Sequence, residues 1–191
     1  MKRRTLLGGA ILFAMAAKGS AQEKKDARTE AIDPAPLDNE LEKYPRCVIC
    51  NMDRRKFHYA RHLLHYADGH VQGTCSVHCV GECMLRERRR GFQAIYAPDF
   101  GATVEPKPLI EVSSATYLIG SDLRGVMTPV SKVSFASREA ALQARLTYGG
   151  EIGNFGTAIS ASMEEAATGL VRRYGNDRER QRRMKAGAPA A

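Results

Sequence analysis

The sequence predicts an α+β fold, and three observations predict it. A hairpin signature spans Phe57 to Thr74: an aromatic, His- and Leu-rich run to Tyr66, the turn Ala67-Asp68-Gly69-His70, and a return strand Val71–Thr74. A capped helix follows, with Ser76 ahead of Val77–Arg90 and Gly91 as its stop. The same order then returns, because Lys132-Val-Ser-Phe-Ala-Ser137 leads into Arg138–Tyr148 and ends at Gly149-Gly150. With 191 residues, 43% hydrophobic and 26% charged, the chain can bury a core and is no disordered polyelectrolyte.

The elements follow in chain order. Met1-Lys-Arg-Arg4 and the apolar stretch to Ala17, then Gly19-Ser20-Ala21 as a small-residue cleavage site, read as an export signal. Arg3-Arg4-Thr-Leu-Leu also resembles a twin-arginine signal, and a Sec signal fits as well. No cysteine precedes Cys47, so the expectation is a periplasmic protein with no lipoprotein cysteine, tethered to the membrane only if the signal is retained. Residues 22–44, with Asp33-Pro-Ala-Pro36, form an extended leader. After the hairpin and helix come extended pieces at Gln93–Ala97 and Leu109–Gly120, separated by the turn-rich Pro98–Pro108. A last helix opens at the capping box Ser162-Met-Glu-Glu165 and ends near Gly175, followed by a basic tail. The expected organisation is signal 1–21, leader 22–44, a cysteine-rich unit 45–108, a second unit 109–160, and terminal helix with tail 161–191.

Charge excludes one class of partner. Arg172–Lys185 holds seven basic residues against Asp177 and Glu179, and residues 1–21 hold four with no acid. These two ends exceed the whole formal charge of +8 and leave residues 22–171 at −1. A nearly neutral body gives no basic groove for a nucleic acid. Arg86-Glu-Arg-Arg-Arg90 reads as a solvated helix end. There is no serine–histidine–carboxylate set and no phosphate-cradling loop, which removes hydrolase and kinase readings.

The chemistry lies in sulfur. All five cysteines fall within 37 residues: Cys47-Val-Ile-Cys50-Asn-Met52, Cys75-Ser-Val-His-Cys79, and Cys83. A Cys-x-x-Cys turn brings two sulfurs together, and Cys75, Cys79 and Cys83 at i, i+4 spacing line one helical face. Cys-x2-Cys with Cys-x3-Cys is a workable zinc set. An exported chain also permits a disulfide, and Cys47 can pair with Cys50 under oxidation. Met52 adds a thioether, which suits copper(I) and gains zinc little. Spacing leaves zinc and copper both open. Met84 reads as packing and His58, His62 and His65 as surface or structural residues, while His78 is the best placed histidine. Laid over the second strand–helix unit, Cys75-Ser76 falls on Ala136-Ser137, Cys79 on Ala140 and Cys83 on Ala144, so one copy carries cysteines and the other alanines.

Cys47–Met52, the Asp68-Gly69 hairpin, Cys75-Ser-x-x-Cys79, and Tyr117-Leu-Ile-Gly-Ser-Asp122 leading through Met127 to Phe135-Ala-Ser137 resemble, in that order, the NosL family. The resemblance covers Tyr44 to Phe155. It implies two related ββα-type units in a fold shared with organomercurial lyase. It also implies a non-enzymatic periplasmic copper(I) chaperone for nitrous oxide reductase assembly, with a copper-accepting enzyme or a membrane copper transporter as partner. The ligand roles implied fall on Cys50, Met52 and Met127, with Cys47, Cys75 and Cys79 as further candidates. The alternatives are an exported structural or sensory zinc module and, from the shared fold alone, a thiol-based enzyme. Asn51, Thr128 and the lack of tryptophan depart from the family pattern without touching the sulfur donors.

Overall fold

The computed structural model describes residues 32–186. The export signal, the first part of the leader and the last five residues of the tail lie outside the described residues. A short helix, α1 (Glu40–Lys43), precedes the hairpin β1 (His62–Tyr66) and β2 (Val71–Thr74). Helix α2 (Val77–Arg86) and strands β3 (Phe92–Pro98) and β4 (Leu109–Glu111) complete a four-stranded sheet of order β2-β1-β3-β4. Then β5 (Thr116–Ile119), β6 (Lys132–Phe135), α3 (Arg138–Tyr148) and β7 (Glu151–Gly153) build a three-stranded sheet of order β6-β5-β7, and α4 (Phe155–Lys185) closes the chain. All paired strands are antiparallel.

Local chemistry explains most of these elements. In the hairpin turn, Gly69 takes φ 82° and the Asp68 carboxylate accepts the His70 N–H at 3.1 Å. Ser137 caps α3 by accepting the Ala140 N–H at 3.0 Å. Ser76 stands at the N-cap of α2 but makes no side-chain cap bond.

Four expectations change. Strand β1 begins at His62, because the Asp53 side chain accepts the Arg55 N–H and starts a run of turns through Ala60. Helix α2 stops at Arg86, and residues 87–90 turn rather than continue to Gly91. Leu109–Gly120 is broken into β4 and β5, since Ser113 and Ser114 both bond back to Glu111 and turn the chain from one sheet to the other. Helix α4 starts seven residues before Ser162: Asn154 and Thr157 cap each other reciprocally, and Ser162 is a fully buried interior residue. It also continues past Gly175 to Lys185.

The main core lies between the four-stranded sheet, α2 and the first half of α4, around Leu64, Tyr66, Val80, Ile95, Ala97 and Tyr117. A smaller core joins α3 to the second sheet through Leu118, Val133, Phe135 and Ala141. His62 of β1 bridges the two sheets: one ring nitrogen donates to the Ala60 carbonyl at 2.9 Å, and the other accepts the Tyr117 hydroxyl at 3.0 Å. Burial holds this imidazole neutral, with its pKa lowered to about 4.

A buried guanidinium fastens the first sheet to the segment before it. Arg54 is fully buried; it donates to the carbonyls of Thr74 (3.1 Å), His62 (3.0 Å) and Tyr44, and it pairs with Glu40 at 2.8 Å. Arg61 holds the other Glu40 oxygen at 2.6 Å. Desolvating these charges costs several kcal/mol, so pairing alone roughly breaks even, and the carbonyl bonds make the arrangement favourable. Gly73 makes room for it: a Cβ there would lie 2.6 Å from an Arg54 nitrogen.

Two outcomes follow. Gly73→Ala should lower stability by about 1–3 kcal/mol by pushing on the guanidinium, seen as a lower midpoint in thermal unfolding. His62 takes up a proton near its ordinary pKa of about 6.5 when unfolded but only near 4 when folded, so stability is full above 6.5 and falls with pH across that window by roughly 3 kcal/mol. Urea midpoints measured from pH 7 to 4 should show this loss, and His62→Gln should flatten it.

Candidate metal centre

The turn Cys47–Met52 is closed by its own backbone: the Cys47 N–H donates to Met52 O and the Asn51 N–H to Cys47 O, both at 2.9 Å. Closing it requires φ 61° at Asn51, a left-handed value that asparagine tolerates better than most residues. The Val48 N–H then donates to Gly73 O at 3.0 Å, which clips the turn over the end of β2. Cys75 lies between that strand end and the N-cap of α2, and Cys79 lies on the first turn of the helix.

These pieces bring four sulfurs together. Cys47, Cys50, Cys75 and Cys79 have all their Sγ atoms within 4.8 Å of one another. Cys50 to Cys75 is 3.4 Å, Cys75 to Cys79 is 3.7 Å, and Cys79 to Cys50 is 3.9 Å. The Met52 Sδ lies 4.0 Å from Cys75. All five cysteines are free thiols. Cys47, Cys75 and Cys79 are buried and Cys50 is half-buried, so the cluster meets solvent through Cys50.

Crowding decides the protonation. The Cys47 thiol is drawn well below its ordinary range because Cys75 and Cys79 hydrogen-bond to it, helped by the backbone amides of Cys50 and Ile49. The charge on Cys47 in turn holds the Cys75 and Cys79 thiols up. Burial lowers the Arg54 pKa, and its Glu40 partner, with a small contribution from Cys47, opposes that shift. Cys47 is thus the sulfur of the group most ready to lose its proton, and binding of a soft cation to the cluster would displace the protons of the others.

The sequence candidates divide on this geometry. Cys47, Cys50, Cys75, Cys79 and Met52 come together. Cys83 does not join them: it belongs to the main core with Val80 and Tyr66, where burial pushes its thiol up to about 12. The three cysteines at i, i+4 spacing therefore do not share a site. Met127 is 45% exposed at φ 68°, but its neighbour Val126 is buried in the same cluster as Cys47, Cys75 and Cys79. The loop that carries both is held from behind by α4, where Glu165 accepts the Val130 N–H at 3.1 Å and pairs with Lys132. His78 is half-buried on α2 and is not among the four grouped residues. His62 and His65 are buried structural residues, and His58 faces Glu105.

Sequence reasoning missed Arg54, Phe57, Tyr59 and Val126. The last three pack around the sulfurs. Val126 could have been noted as the apolar neighbour of Met127, whereas Arg54 gave no signal within the charged run Asp53-Arg54-Arg55-Lys56. A cavity of about 630 Å³ lies elsewhere, lined by Leu37, Glu42, Arg55, His58, Glu105 and Lys107, and includes none of the sulfurs.

Known proteins resemble this chain in sequence and fold. The chain is 26% identical over 168 residues to the copper-binding lipoprotein NosL of Stutzerimonas stutzeri, covering 86% of this chain and 84% of that protein. The crystal structure of the copper chaperone NosL from Shewanella denitrificans matches with a TM-score of 0.50 at 22% identity, over 67% of this chain and 92% of that one. The solution structure of apo-NosL from Achromobacter cycloclastes gives a TM-score of 0.35 at 22% identity, over 50% and 82%. The mixed helix-and-sheet architecture is similar to that of the Shewanella structure.

One expectation is corrected. The Stutzerimonas relative is named a lipoprotein, which overturns the reading of a periplasmic chain with no lipoprotein cysteine. That reading rested on Cys47 being the first cysteine of the sequence, a statement about this stretch of chain and not about how the protein is anchored. The sequence model of NosL matches residues 38–164, from ahead of α1 across both sheets and into α4, and the chain belongs to the NosL family.

Proposed function

We propose that this chain is a copper(I) carrier that loads the ion among Cys47, Cys50, Cys75 and Cys79 and hands it to a copper-accepting partner. The observation that carries the reading is the sulfur cluster itself, four thiols within 4.8 Å with one of them half-buried at the surface. Thiolates and a thioether are soft donors, and copper(I) accepts two or three of them. The buried sulfurs supply affinity. Cys50 supplies the route out, because an incoming ligand can attack from its side and displace one sulfur at a time.

Met52 completes the donor set, and Met127 is the outermost sulfur, exposed on a loop whose preceding residue already packs on the cluster. We assign Met127 to capture and release rather than to the resting coordination sphere. No covalent step is asked of the chain, in keeping with relatives named for copper binding and copper chaperoning. Family membership supports nitrous oxide reductase, or the copper transporter of its assembly system, as the acceptor.

A second reading has one observation in its favour. A tetrahedral zinc–thiolate site with bonds of about 2.3 Å has sulfur–sulfur edges of about 3.8 Å, and the three short separations here are 3.4, 3.7 and 3.9 Å. Metal analysis after purification under reducing conditions separates the two. A chelator that unfolds the protein points to structural zinc, and a stable metal-free fold points to the carrier.

Copper(I) competition with a chromophoric chelator tests the ligand set. Cys50→Ala should weaken binding by more than about tenfold, while Cys83→Ala should leave affinity unchanged and lower the melting temperature by opening a cavity in the core. Met127→Ala should slow transfer to the chelator in stopped-flow measurements with little change in affinity. Unaltered affinity in Cys50→Ala would overturn the assignment.

A further inference from the structure

Helix α4 changes character along its length. Its first half packs on α2, where Gly81 leaves room for the Met163 sulfur, and it carries the Glu165 contacts to the Val130 loop. From Leu170 to Ala186 every residue is exposed. At about 1.5 Å per residue this stretch is a helix roughly 24 Å long with no side buried.

Charge and apolar surface coincide on it. Seven basic residues stand between Arg172 and Lys185, and the two acids are held by the helix's own arginines, Asp177 by Arg180 at 3.7 Å and Glu179 by Arg183 at 3.2 Å. The net charge is +5, against −1 for residues 22–171. Leu170 (63% exposed), Val171 (71%), Tyr174 (64%) and Met184 (72%) are left in water on the same stretch. At about 100° per residue these four fall within an arc of about 140°, flanked by Arg173 and Arg180 on one side and Arg182 on the other. Asp177, Arg178, Gln181 and Lys185 also lie inside that arc, so its apolar surface is concentrated at Leu170, Val171 and Tyr174, with the Asp177 charge turned to Arg180 and the Arg178 guanidinium over the Tyr174 ring.

We propose that Leu170–Lys185 is a docking helix for an anionic phospholipid surface. It lies along the bilayer with the four apolar side chains in the interface and the guanidinium groups reaching back to the headgroups. The two features together favour this partner over others. A nucleic acid or an acidic protein patch answers the charge but has no use for the apolar arc. A flat anionic interface takes both, and long arginine stems suit the boundary between them. Docking this helix sets the thiol cluster near the membrane without using the amino-terminal segment.

The test uses the full chain in co-sedimentation with vesicles of phosphatidylcholine alone or with about 30% phosphatidylglycerol. The parent should bind the anionic vesicles and lose them in about 0.5 M salt. A charge variant, Arg172→Gln, Arg173→Gln, Arg178→Gln, Arg182→Gln and Lys185→Gln, should bind at least about tenfold more weakly. An apolar variant, Leu170→Ser with Tyr174→Ser, should also lose binding. All three forms share one amino terminus, so any difference belongs to the helix, and an unchanged melting temperature excludes a folding defect. Parent-like binding by the charge variant overturns the proposal. So does full vesicle binding by the apolar variant, or tighter salt-sensitive binding of the parent to polyglutamate or to a DNA duplex than to the vesicles.

Discussion

The buried guanidinium of Arg54 is the fastening on which the sulfur cluster depends. The two halves of the cluster come from separate stretches of chain, a turn at Cys47–Met52 and a strand-to-helix junction at Cys75–Cys79. Arg54 bonds the carbonyl of Tyr44, three residues before the first cysteine, and the carbonyl of Thr74, immediately before the third. It also bonds His62 at the start of β1 and pairs with Glu40. One rigid planar group therefore sets the distance between the arms, and its directional donors specify that distance in a way a packed apolar side chain could not. The Glu40 carboxylate shared by Arg54 and Arg61 leaves one positive charge uncompensated in the trio.

Strong holding and quick release are usually opposed, and the burial pattern reconciles them. Three sulfurs sit in a dry environment walled by Ala60, Val126 and the ring of Phe57, where metal–thiolate bonds face little competition from water. The fourth is half in solvent. In the carrier proposed above, a ligand arriving there would exchange without opening the core, so the barrier to transfer need not scale with total affinity. The pre-formed spacing adds to this, because little chain ordering remains to be done when the ion arrives.

The two sheets are joined by a neutral contact rather than an ionic one. His62 accepts the Tyr117 hydroxyl where both side chains are fully buried, and α4 stitches the second sheet to the loop that carries Val126 and Met127 through Glu165. The left-handed backbone at Met127 turns its side chain out while Val126 turns in. The position of that exposed thioether is consequently set by contacts far from it in sequence.

Much of the fold and some of the site were legible in the chain. The Asp68-Gly69 hairpin, the helix start at Ser137 and the stop at Gly149-Gly150 are local turn and capping chemistry, which a few neighbouring residues decide for themselves. The clustering of Cys47, Cys50, Cys75 and Cys79 was visible for the same reason, since each pair sits within one turn. Spacing alone, however, grouped Cys83 with them, and only packing shows that this side chain faces the main core. The division of Leu109–Gly120 and the early start of α4 also rest on local bonds, Ser113 and Ser114 to Glu111 and Asn154 with Thr157, whereas the role of Arg54 depends on carbonyls as far off as Thr74. Backbone conformation and short sulfur pairs are local properties and can be read in one dimension. Which face of a helix is buried, and which carbonyls a buried guanidinium reaches, is fixed by long-range contacts and appears only in three.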